Sequence, residues 1–331
     1  MSGAEATRAT NPWLTAAAWR RLFRDRPIIP LSALLVALIV LLELARPGIV
    51  DADWLSITVR AAVPLAILAA CQTLTMLTGG IDLSVGMVAS MAAYLAATQS
   101  TANGDLTAIF IGLGAAALVG LANGIGVGIF RVHPLIMTLG VSLVVLGLMN
   151  VYQLAMVQAG VHLPQIILDL GAGMTFDVIP NNLIVFVPLA AAILIGLRRS
   201  GFGRLLFAVG DNPIAARLSG VRAWQVLIAL YILSAVLAGI AGYLVSGLTK
   251  TTSLTLVESN VLPSVAAAVI GGTSIMGGRG GYSGTIVGAL ILTVLGTLLI
   301  VLQMPEGLRQ ILFGAIIVGV AAAYARVTGE S

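Results

Sequence analysis

Residues 181–197, NNLIVFVPLAAAILIGL, and 224–246, WQVLIALYILSAVLAGIAGYLVS, are two apolar runs separated by RRSGFGRLLFAVGDNPIAARLSGVR (198–222). Each run is close to the roughly 20 residues that a helix needs to cross a bilayer. The stretch between them carries Arg198, Arg199, Arg204, Arg217 and Arg222 against one acid, Asp211. A basic loop between two spans belongs on the cytoplasmic side. Similar apolar runs recur along the chain, near 28–44, 60–78, 83–99, 107–130, 135–157, 261–277, 283–302 and 308–325. Together they predict an all-α membrane protein of about ten transmembrane helices.

Composition agrees with this reading. Of 331 residues, 59% are hydrophobic and 9% charged, whereas a soluble domain carries about 25% charged residues. So few charges cannot cover a surface facing water, and lipid must be the solvent. Long apolar runs, rather than short alternating ones, select helices over a β-barrel. With the N-terminus cytoplasmic, only Arg46, Arg60, Lys250 and Arg309 of the 17 Lys and Arg fall outside. The positive-inside rule therefore puts both the N-terminus and the C-terminus in the cytoplasm. The net charge of +4 is a matter of topology and implies no nucleic acid partner.

The expected organisation has three parts. Residues 1–27 form a cytoplasmic tail with an interfacial amphipathic helix: Asn11 caps it, Pro12 opens it, and Leu14, Ala18, Trp19, Leu22 and Phe23 line one side. Residues 28–325 form the transmembrane unit, with the basic loop at 198–223, and residues 326–331 form a second cytoplasmic tail. The first apolar run has no cleavage site after it and reads as a retained anchor. Cys71 is the only cysteine, so no internal disulfide can form.

Glycine breaks the helical pattern at two places: Thr78-Gly79-Gly80-Ile81-Asp82-Leu83-Ser84-Val85-Gly86, and Gly271-Gly272 through Gly277-Gly278-Arg279-Gly280-Gly281-Tyr282-Ser283-Gly284. Glycine-broken helices near 78–86 and 271–284, in corresponding orientation, are pointers to a transport site. Asp82 reads as an N-terminal cap for the following span, as a gate or partner contact, or as a proton-coupling group. Gly120, Gly124 and Gly128, four residues apart, bare one helix face for close packing. Asn123 lies between them and is expected to bond a neighbouring helix or touch a solute.

Several chemistries have no carrier. The sequence has no G-x-x-x-x-G-K-[ST] loop for ATP, no metal-ligand spacing and no catalytic constellation. Span interiors are nearly free of ionisable groups, which usually mark ion-coupled transport. Their polar residues are neutral: Gln72, Thr73, Thr75, Ser90, Asn123, Thr138, Ser142, Asn150, Gln153 and Gln303. They suit a neutral polar solute, although each alone also serves as an interhelix bond. The pathway or gate is accordingly expected at Gln72, Thr78, Gly79, Gly80, Asp82, Ser84, Asn123, Asn150, Gly271, Gly272, Thr273 and Ser274.

TGGIDLSVG (78–86), GRLLFAVGDNPIAARLSGV (203–221) and AAAVIGGTSIMGGRGG (266–281) resemble, in order, three signature regions of bacterial ABC sugar-importer permeases of the ribose, xylose and arabinose type. HPLIMTLG (133–140) resembles a fourth, with His133 and Leu135 in place of the usual proline and phenylalanine. Pro263 stands where many members carry an acid. The resemblance covers about residues 60–320. It implies a multi-pass inner-membrane subunit paired with a second permease subunit, itself or a sister chain. It also implies cytoplasmic ATP-binding cassettes that bind ATP and Mg, a periplasmic solute-binding protein and a sugar substrate, with no cofactor in this chain. Gly203, Arg204, Ala208, Gly210, Asn212, Ala215, Ala216, Arg217, Ser219 and Gly220 would form the ATPase-coupling loop. Its local chemistry fits a short helix capped by Asn212, opened by Pro213 and ended by Gly220. The other readings are a stand-alone facilitator or secondary transporter, a nucleoside or branched-chain amino-acid permease, and a membrane scaffold without transport.

Overall fold

The computed structural model describes residues 28–156, 161–176, 179–305, 307, 308, 310–312, 314, 315, 318 and 319. The N-terminal interfacial helix, the tail at 326–331 and much of the expected last span lie outside the described residues. The helices are α1 (Ile28–Ala45), α2 (Ala52–Met76), α3 (Val85–Asn103), α4 (Asp105–Gly128), α5 (Pro134–Ala155), α6 (Gln165–Ala172), α7 (Asn182–Arg199), α8 (Gly201–Asp211), α9 (Pro213–Leu218), α10 (Ala223–Thr249), α11 (Val261–Ile270) and α12 (Tyr282–Val301). Two-residue strands, β1 (Met174–Thr175) and β2 (Ile179–Pro180), pair antiparallel in the connection before α7.

Among the described residues, α1, α2, α4, α5, α7, α10 and α12 are long and apolar enough to cross a membrane. The protein is thus a helical, multi-pass membrane protein. α3 has 19 residues but is less apolar, because neighbouring helices rather than lipid surround it. Its residues from Val85 to Tyr94 are all buried. The 261–277 run, expected as one span, is instead the ten-residue α11 followed by an irregular segment. Ten residues rise only about 15 Å, half the hydrocarbon core. α2 begins eight residues earlier than expected. Asp51 caps it by accepting from Trp54 N (2.7 Å), and Arg60 is accommodated by donating to Ala172 O (3.2 Å).

α10 is the central helix and packs on α2, α3, α4 and α6. The α4 glycine face lies directly on it: a Cβ at Gly120 would overlap Tyr231 O, and one at Gly124 would sit 2.6 Å from Ile228 Cα. Close backbone approach is therefore what the four-residue spacing encodes. A second layer, α1, α2 and α11, gathers on α12.

Candidate functional site

The first break is built by side chains that replace lost helical bonds. α2 stops at Met76, and residues 77–84 run irregularly to α3 with Leu77, Gly80, Asp82 and Ser84 buried and Gly79 exposed. The Gln72 amide clamps this backbone in both directions: Nε2 donates to Asp82 O (2.8 Å) and Oε1 accepts from Asp82 N (3.3 Å). Leu83 N donates to Thr138 Oγ1 (3.1 Å). Irregular backbone at membrane depth is tolerated where protein satisfies it in this way.

Asp82 is buried and surrounded by donors. Its Oδ1 accepts from Ser84 N (2.9 Å) and Ser84 Oγ (2.6 Å), and its Oδ2 from Ser234 Oγ (3.3 Å). Asn123 Nδ2 donates to Ser84 Oγ (2.8 Å) and ties α4 to the same cluster. The N-cap position of α3 is Ser84, which makes no side-chain cap bond. Asp82, two residues earlier, closes an Asx turn that feeds the helix. The expected cap is therefore displaced by two residues. Asn123 Oδ1 and Tyr231 Oη are buried without a partner beside this network.

The second break follows α11. Gly271 packs on the backbone of Gly284 and Thr285 at the start of α12. Ser274 N donates to Arg279 O (3.0 Å), and Met276 N to Ser274 Oγ (3.2 Å), which closes a tight turn. Gly277 and Gly278, at φ +93° and +70°, take the left-handed conformations that this turn requires. Thr273 and Ser274 are buried, and Thr273 Oγ1 lacks a partner.

The basic segment folds as a helical hairpin of α8 and α9. Ser200 Oγ caps α8 by accepting from Gly203 N (3.0 Å). Asn212 Oδ1 caps α9 by accepting from Ile214 N (3.1 Å) and Ala215 N (2.9 Å), with Pro213 in the first turn. After α9, Gly220 at φ +84° turns the chain, and Val221 N returns to Ala216 O (3.0 Å). α8 buries Gly203, Leu206 and Val209 and exposes Arg204 and Ala208. α9 buries only Ala216, leaving Ala215 and Arg217 exposed, with Ser219 after them.

These three regions meet main chain to main chain. Gly278 N donates to Leu77 O (3.0 Å). A Cβ at Gly210 would overlap Leu77 O, and one at Gly277 would stand 2.9 Å from Gly210 O and 3.0 Å from Gly79 N. The end of α8, the start of the first break and the turn of the second are therefore one joint.

Gln72, Asp82, Ser84 and Asn123 come together in the buried network, and Gly79, Gly210, Gly277 and Gly278 in the joint. Gly80 is buried between Tyr231 and Pro134, and Thr78 closes the end of α2 by donating to Thr75 O (2.9 Å). Gly272 takes φ +89° just after α11. Asn150 stands apart, exposed on α5. The sequence reading missed Tyr231 and Ser234, which share one face of α10 at i and i+3. Their only local signal is a phenol and a hydroxyl inside an otherwise apolar run.

The family described as the permease component of branched-chain amino acid transport systems matches residues 55–321. The fructose import permease protein of Rhizobium meliloti is 31% identical over 88% of this chain and 82% of its own. The ribose import permease protein of Bacillus subtilis is 30% identical over 86% of this chain and 88% of its own. An autoinducer 2 import system permease protein of Yersinia enterocolitica is 30% identical over 86% and 80%. No solved structure matches the chain. With its membrane-length helices, its glycine joint and a match that covers most of its length, this chain belongs to that family of import-system permease components.

Proposed function

We propose that this permease subunit of an ABC importer passes a monosaccharide-like neutral solute from a periplasmic binding protein into the cytoplasm. The fructose and ribose relatives support the solute class, and the buried neutral amides and hydroxyls suit a molecule rich in hydroxyls. ATP is hydrolysed by cytoplasmic cassette subunits, and a second permease subunit completes the pathway. In this reading the chain has about ten spans with both termini inside, the α8–α9 hairpin is the ATPase-coupling loop, and Gln72, Thr78, Gly79, Gly80, Asp82, Ser84, Asn123, Asn150, Gly271, Gly272, Thr273 and Ser274 belong to the pathway or its gate.

The observation that carries this reading is the main-chain joint between the hairpin and both breaks. A partner that binds the hairpin differently in two nucleotide states biases the permease between two conformations, and the joint passes that bias to the breaks without an intervening flexible linker. The family description, which names branched-chain amino acids, supports a second solute class for the same machine.

Co-purification with a cassette ATPase, followed by uptake in proteoliposomes supplied with a solute-loaded periplasmic binding protein, tests the proposal. ATP-dependent entry of labelled ribose or fructose is expected, with no entry when the ATPase is omitted. Entry of leucine alone would move the solute to the second class, and entry without ATPase would overturn coupling. Ala215→Glu or Gly220→Trp should preserve membrane insertion while lowering ATP-dependent uptake at least tenfold; unchanged uptake in both would count against the hairpin.

A further inference from the structure

We propose that the turn at residues 274–279 is a second docking element for the ATPase subunit, with Met276 inserted into an apolar socket of that partner and Arg279 at its rim. The inference rests on the reading of α8–α9 as the coupling hairpin, and extends the interface to a separate part of the chain.

Three observations lead to it. The turn is rigid: its ends are closed by Ser274 N to Arg279 O (3.0 Å), Met276 N is held by Ser274 Oγ (3.2 Å), and Gly278 N is fixed to Leu77 O (3.0 Å). Met276 stands at its tip with 72% of its surface exposed, so among the described residues most of its side chain is left uncovered. Methionine adapts to irregular apolar sockets and recurs on binding surfaces for that reason. Lastly, the turn is continuous with the hairpin. A Cβ on Gly278 would come within 2.9 Å of Asp211 Cα, and Asp211 directly precedes the Asn212 cap of α9.

α9 displays the same chemistry. Ile214 is 68% and Leu218 85% exposed, and Arg217 lies between them. Met276 with Arg279, and Ile214 with Leu218 and Arg217, are exposed apolar knobs with neighbouring cations on two segments held together at Gly278 and Asp211. Clustered exposed apolar groups rimmed by polar ones mark an interaction site. The matching partner surface is an apolar cleft bordered by carboxylates. The occupant that covers α9 reaches the turn as well, because the two are joined through Gly210 and Asp211 rather than through a linker.

Retention of the cassette ATPase by the detergent-purified complex tests this. Met276→Asp should weaken retention at least tenfold, Met276→Leu should restore it, and Leu218→Asp should abolish it. Phe176→Asp, in the exposed connection before α7, should change nothing. If Leu218→Asp releases the ATPase and Met276→Asp does not, the second element is overturned while the coupling hairpin stands. If neither releases it, the hairpin reading itself falls. Thermal unfolding of each variant permease alone separates docking from misfolding; Met276→Asp is expected to match wild type, and a lowered midpoint that accounts for the release overturns the assignment. A Met276→Cys complex labelled with a thiol-reactive photo-crosslinker, which captures any neighbouring residue, should give a permease–ATPase product. Cys71 is buried and stays silent. A permease–permease product, or none, overturns the assignment.

Discussion

Asp82 sits among donors and does three jobs with two oxygens: it turns the backbone at Ser84, fixes the Ser84 hydroxyl, and anchors Ser234 of α10. A group held for its acceptor geometry tolerates loss of charge better than loss of oxygen. Asp82→Asn keeps an acceptor for Ser84 and is expected to retain folding and at least half of wild-type uptake. Asp82→Leu strands buried donors at about 1–3 kcal/mol each and should lower the unfolding midpoint and surface expression together. Loss of uptake in Asp82→Asn with a wild-type midpoint would instead assign the carboxylate a proton-coupling role. Gly210 is the complementary case, since its missing side chain is what matters. Gly210→Ala puts a methyl group into Leu77 O and must open the joint. ATP hydrolysis with strongly reduced uptake is expected, and full uptake would show that the joint carries no motion.

Among the described residues α9 is the shortest α-helix, and its first turn is held by its cap. Asn212→Ala removes both side-chain bonds to the first turn, at a cost of about 1 kcal/mol. ATPase retention should fall severalfold and return with Asn212→Asp or Asn212→Ser; no change in Asn212→Ala would mean that the partner itself orders the helix. The α9 boundaries were legible because capping is local: Asn212, Pro213 and Gly220 carry the signal within nine residues. The α4 glycine face was legible too, but its partner α10 was not, because spacing shows which face is bare and not what lies on it. Hydropathy failed at 261–277 for a related reason. It averages over the glycines and cannot see that Gly271 and left-handed Gly272 end α11 at Ile270. The donors around Asp82 were hidden for the opposite reason, distance: Asn123 reaches Ser84 across 39 positions and Ser234 reaches Asp82 across 152.

At the scale of the molecule, the proposed orientation makes the hairpin and the connection before α7 face opposite compartments. Buried Cys71 leaves the wild-type chain silent to bulky thiol reagents. Phe176→Cys, at a position 87% exposed, should then label in intact spheroplasts with a membrane-impermeant maleimide. Ile214→Cys should label only after permeabilisation; the reverse pattern would invert the topology. The joint at Leu77, Gly210 and Gly278 has one more consequence. Its peptide contacts demand glycine at Gly210 and Gly277 but ask nothing of side chains elsewhere, so in the proposed reading the linkage between ATPase and pathway is indifferent to what is carried. On the proposed reading, residues facing the cargo can be redesigned while the drive is left untouched, and a new solute preference can be engineered onto a separable transmission.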